Sequence, residues 1–231
     1  MFAMTRAVLI TGTDTGVGKT LVGCALAFAA KARGMRVGVM KPAETGCAAV
    51  DGALVPADAK ALLCASSAQF PLELVCPYRY PSPLAPARAA EADRLAPPDP
   101  QQIERCFREI SAQSDFVIVE GAGGITVPLD WNFNYADLAR GLGLEVVLVV
   151  GNRLGCLNAT VLTVHYAKAR GLDLRGVVLS DVEPEATPAT ETNTDSLKRL
   201  LDVPYLGRIR HKEPVSLAII ESILEPGRGS R

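Results

Sequence analysis

Five short runs rich in Val, Ile and Leu punctuate the chain, at residues 7–10, 36–40, 116–119, 145–150 and 176–179. They are nearly continuous rather than alternating, the pattern of parallel strands covered on both faces. Between them, residues 20–32, 101–112, 135–140 and 157–169 read as helices, and Gly34, Gly143 and Gly171 follow three of these where a helix C-terminus favours glycine. Alternating strand and helix predicts an α/β fold, with a mostly parallel sheet covered by helices on both faces and right-handed crossovers.

Two stretches break this rhythm. Between residues 76 and 100, prolines at Pro77, Pro81, Pro83, Pro86, Pro97 and Pro98 stand too close together for regular structure. A long loop is expected there, of the kind that serves a function when it sits inside a compact domain. The second stretch, residues 183–193, is acidic and Thr-rich and reads as a surface connection. No internal repeat or linker divides the chain, so residues 1–231 are expected to form one domain.

Acidic and basic residues nearly balance, giving a formal charge of -1. Such a balance offers no electrostatic footprint for a nucleic acid or an anionic membrane, and small-molecule chemistry is the better expectation. The longest apolar stretch, residues 21–30, is about half the ~18 residues of a membrane span and reads as a buried helix. The first residues lack the charged and apolar regions of a secretory leader, which points to the cytoplasm, and Met4 is a second candidate start. The six cysteines, Cys24, Cys47, Cys64, Cys76, Cys106 and Cys156, form no CxxC pair, and His165 and His211 lie far apart, so metal-ligand spacing is absent. Most of these cysteines read as small apolar core residues.

The sharpest chemical signal is LITGTDTGVGKT at residues 9–20. A strand, a Gly/Thr-rich turn, Gly-Lys-Thr and a helix form the context of a P-loop, in which backbone N–H groups and a helix N-terminus face an anion. Gly12, Thr13, Asp14, Thr15, Gly16, Val17, Gly18, Lys19 and Thr20 would make the cradle, with the Thr20 hydroxyl placed for Mg²⁺. Five residues separate Gly12 from Gly18, and Thr13 stands where the usual first Gly would be, so the loop is a variant. A second signal is FVIVEGAGG, residues 116–124, where Glu120 ends a buried strand as a candidate Mg²⁺ ligand. In a third, VMKPAETG at residues 39–46, another strand delivers Lys41 to its carboxyl end. Ligands in open α/β sheets bind at those ends, so Lys19, Lys41 and Glu120 are expected to converge. Asp58 reads equally as a functional carboxylate or as a plain helix cap.

Taken together, TGTDTGVGKT, KPAETG, Asp58, PYRYPSPLAPARAA, VEGAGG and VVGNRLGCLNA occur in an order that strongly resembles the dethiobiotin synthetase family. The resemblance implies a P-loop NTPase-like fold and an ATP- and Mg²⁺-dependent reaction. In that reaction 7,8-diaminopelargonic acid and CO₂ or bicarbonate give dethiobiotin, ADP and phosphate through a carbamate and its phosphorylated anhydride. It further implies that Lys19 holds phosphates and carbamate, that Thr15 lies on the phosphate loop, and that Thr20, Asp58 and Glu120 serve Mg²⁺. Lys41 would orient the carbamate and the transferred phosphate, and Thr45 would offer substrate a hydroxyl where the family usually has Ser. A homodimer is implied, bringing Leu154, Gly155, Cys156 and Asn158 to the substrate carboxylate across the subunit boundary. No nucleic acid or membrane enters this picture.

The chain departs from the family pattern in three further places. Gly16 replaces a Glu found in some members, Ser180-Asp181 stands where an Asn-Asp pair often reads adenine, and Arg208 and Arg210 interrupt a common Gly-Glu-Ile-Pro. Weaker discrimination between ATP and other triphosphates is the expected consequence. Two rival classes fit less well. Amidotransferase-type synthetases need a glutaminase domain. Chromosome-partitioning ATPases carry a lysine where Asp14 stands, and a C-terminal membrane or DNA element for which residues 226–231 are too short.

Overall fold

A computed structural model describes residues 5–225; Met4 and the 226–231 tail lie outside it. The chain opens with β1 (Arg6–Gly12), α1 (Lys19–Ala32) and β2 (Val37–Met40). A short strand β3 (Ala43–Thr45) and a hairpin of β4 (Ala48–Val50) and β5 (Ala53–Val55) lead into α2 (Ala57–Ser66) and α3 (Leu72–Val75). Next come β6 (Tyr78–Tyr80), which pairs in parallel with β3, then α4 (Pro86–Asp93), α5 (Pro100–Ser111) and β7 (Phe116–Gly124). A small ladder of β8 (Pro128–Asp130) and β9 (Phe133–Asn134) precedes α6 (Tyr135–Leu142), β10 (Glu145–Gly151) and α7 (Cys156–Ala169). The last elements are β11 (Leu174–Ser180), α8 (Pro188–Leu200), β12 (Tyr205–Ile209) and α9 (Leu217–Leu224).

Six strands make the central sheet in the order β12-β11-β10-β1-β7-β2, and every neighbouring pair is parallel. The continuous apolar runs now sort by alternate residues. Val8 and Ile10 of β1 pack with Val22 and Leu26 of α1 and Ile219 and Ile223 of α9, while Ala7 and Leu9 pack with Ile103, Phe107 and Ile110 of α5 and Leu138 of α6. A third cluster joins Leu148, Val150 and Leu179 to Val164 of α7 and Leu197 of α8. Both faces of the sheet are therefore dry, which is why polar alternation was absent from these strands.

The side of the sheet order to which successive strands are added changes around β1. From it the chain goes outward to β2 and later returns through β7, whereas β10, β11 and β12 continue on the other side. The loop after β1 lies at this switch point, where open α/β sheets bind ligands. Register does the rest: Met40 pairs with Val119 and Ile10 with Glu120, so Lys41 and Glu120 leave the sheet side by side beside the loop that begins at Gly12.

Three expectations need correction. Residues 76–100 are not one long loop, since they contain β6 and α4 and end at the start of α5. Pro86 and Pro100 open their helices at positions where a missing N–H costs nothing and a fixed φ helps, so proline density marked helix starts there rather than irregular backbone. Residues 183–193 are a connection only as far as Thr187. That residue caps α8 in a capping box with Thr190, so the Thr-rich stretch is a helix N-terminus. The apolar stretch 21–30 is helical but not wholly buried, for Leu21 and Phe28 lie on the outer face of α1. Among the described residues no helix is long and apolar enough to cross a membrane.

Candidate functional site

The loop between β1 and α1 is shaped by two glycines that tolerate no side chain. At Gly12 a Cβ would come within 2.7 Å of Val17 Cγ2 and 2.9 Å of the Asp14 carbonyl. Gly18 caps α1 at a φ of 95°, a left-handed conformation that favours glycine, and a Cβ there would meet Ser180 Oγ at 3.1 Å. Thr13 N donates to the Val149 carbonyl of β10 at 3.0 Å, pinning the loop to the sheet. The first N–H groups of α1 have no side-chain cap, so they are left for an anion. Lys19 folds back along the loop, its Nζ donating to the Asp14 carbonyl at 2.9 Å.

Beside this loop lies a cavity of about 750 Å³ lined by Thr15, Lys19, Thr20, Lys41, Thr45, Asp58 and Glu120. Pro83 and Leu84 from the turn before α4, with Pro86 at its first position, close one side of it. Lys41 is almost fully buried and donates to Glu120 Oε1 at 2.6 Å and to Asp58 Oδ2 at 2.8 Å. Thr20 Oγ1 donates to the same Glu120 Oε1 at 2.9 Å. Every residue that the sequence singled out from the first half of the chain and from β7 as catalytic or metal-binding therefore converges on one cleft.

Electrostatics in the cleft separate the two lysines. Burial and the neighbouring Lys41 charge lower Lys19 to about 8, only partly offset by Glu120, Asp58 and Asp14. Burial alone would depress Lys41 too, but the charges of Glu120 and Asp58 outweigh it and hold this lysine above the ordinary range. Asp58 is held below the usual carboxylate range: burial would raise it, and the Lys41 charge, the hydrogen bond from Lys41 and the charge of Lys19 prevail. Lys41 is thus a fixed cation and Lys19 an adjustable one.

A hard cation fits this donor set. Glu120 is fully buried, and its second oxygen, Oε2, has no hydrogen-bond partner, a costly state for a buried carboxylate oxygen. Two carboxylates and a hydroxyl form an incomplete oxygen shell, which suits Mg²⁺ because that ion keeps waters and takes nucleotide phosphates as its remaining ligands.

Sequence comparison resolves which family this cleft serves. Residues 6–217 match the family model described as an AAA domain. A protein of Aromatoleum aromaticum named ATP-dependent dethiobiotin synthetase BioD is 44% identical over 206 residues, spanning 89% of this chain and 91% of that protein. The chain belongs to the dethiobiotin synthetase family. Dethiobiotin synthetases of Anaeromyxobacter dehalogenans and Xylella fastidiosa are 42% and 38% identical, over 92% and 94% of this chain and 89% and 96% of theirs. Among solved structures, the cell division ATPase MinD of Pyrococcus furiosus superposes with a TM-score of 0.54 at 20% identity, covering 95% of this chain and 98% of that one. A ParA family ATPase of Chlorobium tepidum gives the same score at 17% identity, over 95% and 89% of the two chains. These two likenesses establish the P-loop fold alone.

Other residues that the dethiobiotin synthetase resemblance singled out do not line the main cleft. Leu154, Gly155, Cys156 and Asn158 sit at the start of α7 and do not line it; Leu154 is 87% exposed and Cys156 is buried. Ser180 abuts Gly18, and Asp181 lines a second cavity of about 200 Å³ with Thr190, Arg208, Arg210 and His211. The Asp181 carboxylate is already engaged, accepting from Arg208 Nε at 2.9 and 3.0 Å and from Asn152 Nδ2 at 2.6 Å.

Sequence reasoning missed three contributors. Arg153 pairs with Asp14 and ties the turn before α7 to the phosphate loop. Buried Asn152 joins Asp181 to Asn193, whose Nδ2 donates to Asn152 Oδ1 at 2.9 Å. Glu44, inside KPAETG, is buried against α2, where its carboxylate accepts from the backbone N–H groups of Asp58 and Ala59 at 3.0 Å each. Burial pushes Glu44 up in spite of those bonds. Asp58 is accordingly not a helix cap but a first-turn residue whose helix is capped by the Glu44 side chain.

Proposed function

We propose that this member of the dethiobiotin synthetase family closes the cyclic urea of dethiobiotin from 7,8-diaminopelargonic acid, CO₂ and ATP at the Lys19–Lys41–Glu120 cleft. The carrying observation is the convergence, in one cavity, of a phosphate loop and a buried lysine held between a pair of carboxylates. One amine of the substrate first adds to CO₂ and loses a proton to give a carbamate anion. The carbamate oxygen attacks the γ-phosphorus of ATP, and the bond to the ADP oxygen breaks. The second amine then attacks the carbamate carbon, expelling phosphate and leaving the ring.

Each residue has a place in this scheme. The free N–H groups of α1, with Lys19, hold the triphosphate in line, and Thr15 lies at the edge of the same loop. Lys41 faces the developing negative charge of carbamate and transferred phosphoryl, a role that demands a cation fixed in place before reaction. Thr20, Asp58 and Glu120 would hold Mg²⁺, which when bound supplies charge neutralisation at the phosphates. Thr45, at the end of β3, offers a hydroxyl to the diamine, and Pro83, Leu84 and Pro86 wall it from water.

The substrate carboxylate is assigned to the N-terminus of α7 in a second copy of the chain, forming a homodimer. Leu154 and Leu162, 87% and 61% exposed on that helix and its leading turn, supply apolar area for such a contact. Base recognition is assigned to the second cavity, where the engagement of Asp181 by Arg208 and Asn152 supports weak discrimination among nucleoside triphosphates. A steep preference for ATP in competition binding would overturn that assignment.

The deciding experiment measures ADP release with ATP, Mg²⁺ and bicarbonate, with and without 7,8-diaminopelargonic acid, and checks the product mass. Diamine-dependent ADP together with dethiobiotin is expected. Nucleotide binding without diamine-dependent turnover would assign the cleft to another substrate.

A further inference from the structure

Helix α2 carries Asp58 into the cleft, yet nothing in its own sequence caps it. Its N-cap residue is Pro56, whose side chain makes no cap hydrogen bond, and the first backbone N–H groups of any helix lack partners within it. Glu44 supplies them from β3, fourteen residues before Asp58. Its Oε1 accepts from Asp58 N and its Oε2 from Ala59 N, both at 3.0 Å, and Ala59 is fully buried. A carboxylate at this position meets both the orphan donors and the positive end of the helix dipole, and its charge strengthens the two bonds.

The cap fixes the first turn of α2 against β3. That turn aims the Asp58 carboxylate at Lys41 Nζ, 2.8 Å away. The next residue of β3 is Thr45, which lines the cavity. One buried side chain thus locks the strand that presents Thr45 to the helix that presents Asp58, with Lys41 just before that strand. Glu44 itself sits at the wall of the same cavity.

We propose that Glu44 is a positioning residue, setting the place of the Asp58 carboxylate through the first turn of α2 and thereby the affinity of the cleft for Mg²⁺ with nucleotide. This rests on the reading of Asp58 as a Mg²⁺ ligand. Replacing Glu44 by Gln keeps size and one acceptor but turns an amide N–H₂ toward a backbone N–H. One buried donor is left unsatisfied and the turn is free to shift. Partners that orient a metal ligand typically change metal affinity by about 10- to 100-fold when lost.

The test is calorimetric and needs no turnover. Binding of β,γ-methylene ATP is measured with Mg²⁺ and with a chelator in wild type, Glu44→Gln, Asp58→Asn and the double variant. In wild type Mg²⁺ tightens binding. In Glu44→Gln that gain is expected to shrink by roughly tenfold, while chelator-condition affinity, which reads the phosphate loop, stays as in wild type. In the Asp58→Asn background Glu44→Gln is expected to have no further effect on the gain. A Glu44→Gln variant with the wild-type gain overturns the proposal, whatever its melting temperature, and so does a Glu44 effect that persists without Asp58. Wild-type binding indifferent to Mg²⁺ overturns it together with the metal reading. A wild type that couples Mg²⁺ to nucleotide but releases no diamine-dependent ADP refutes the synthetase reaction and leaves the Glu44 role standing.

Discussion

At the scale of single residues, the two lysines do different work because their surroundings differ. Lys41 is pinned between two carboxylates, one fully buried, so removing it does two things at once. Lys41→Ala is expected to lower kcat by about 10²–10³-fold while nucleotide affinity changes little. It also strands the Glu120 charge, at a cost of roughly 3–5 kcal/mol of stability. Kinetics run well below the melting temperature of the variant separate the two, and loss of nucleotide affinity alone would contradict the assignment. Glu120→Gln is expected to weaken the Mg²⁺ dependence, and an unchanged metal titration would place the ion elsewhere. Lys19 is the titrating member. Its value of about 8 in the free protein means that its charge is lost as pH rises through that value, and phosphate binding must pull a proton back. Nucleotide affinity should therefore fall as pH rises above about 8, approaching tenfold per pH unit, with proton uptake visible as a buffer-dependent binding enthalpy at pH near 8.5. A binding enthalpy independent of buffer would refute a depressed Lys19. The types of these residues were legible in GKT, KPAETG and VEGAGG. Their mutual charges were not, since each pKa depends on distances between segments far apart in the chain.

At the scale of elements, caps decide where helices begin, and some caps were readable while others were not. Asn134 accepts from the N–H groups of Ala136 and Asp137, and the Asp137 carboxylate accepts from Asn134 N, a capping box lying within four successive residues. Asn134→Ala is expected to cost about 1 kcal/mol and to lower the melting temperature by roughly 2–4 °C; a shift near zero would mean that Asp137, held also by Arg170, carries the turn unaided. Such local boxes leave a signature in the sequence, as Thr187 and Thr190 do at α8, although there composition pointed to a loop. The cap of α2 leaves none, because Glu44 reaches it from a different strand. Prolines misled for the opposite reason: the same residue that breaks a helix interior is well suited to its first turn, and only the fold shows which position Pro86 and Pro100 occupy.

At the scale of the whole molecule, the exposed turn before α7 bears on assembly. Sedimentation is expected to give a dimer, and Leu154→Asp with Leu162→Asp a folded monomer that still binds nucleotide but has lost diamine-dependent turnover. A wild-type monomer with full turnover would refute the shared site. The fold class, the phosphate loop and the strand ends that carry Lys41 and Glu120 can all be read along the chain. Each of these is a local pattern: an apolar run covered on both faces, a glycine turn before a helix, a charge at the end of a strand. The rest emerged on folding. Strand order and parallel register set Lys41 beside Glu120, burial separated the pKa of Lys19 from that of Lys41, and a carboxylate from β3 closed the end of α2. The physical reason is common to all three: they arise between segments distant in sequence, and a chain states its local preferences in its residues but its long-range contacts only when folded.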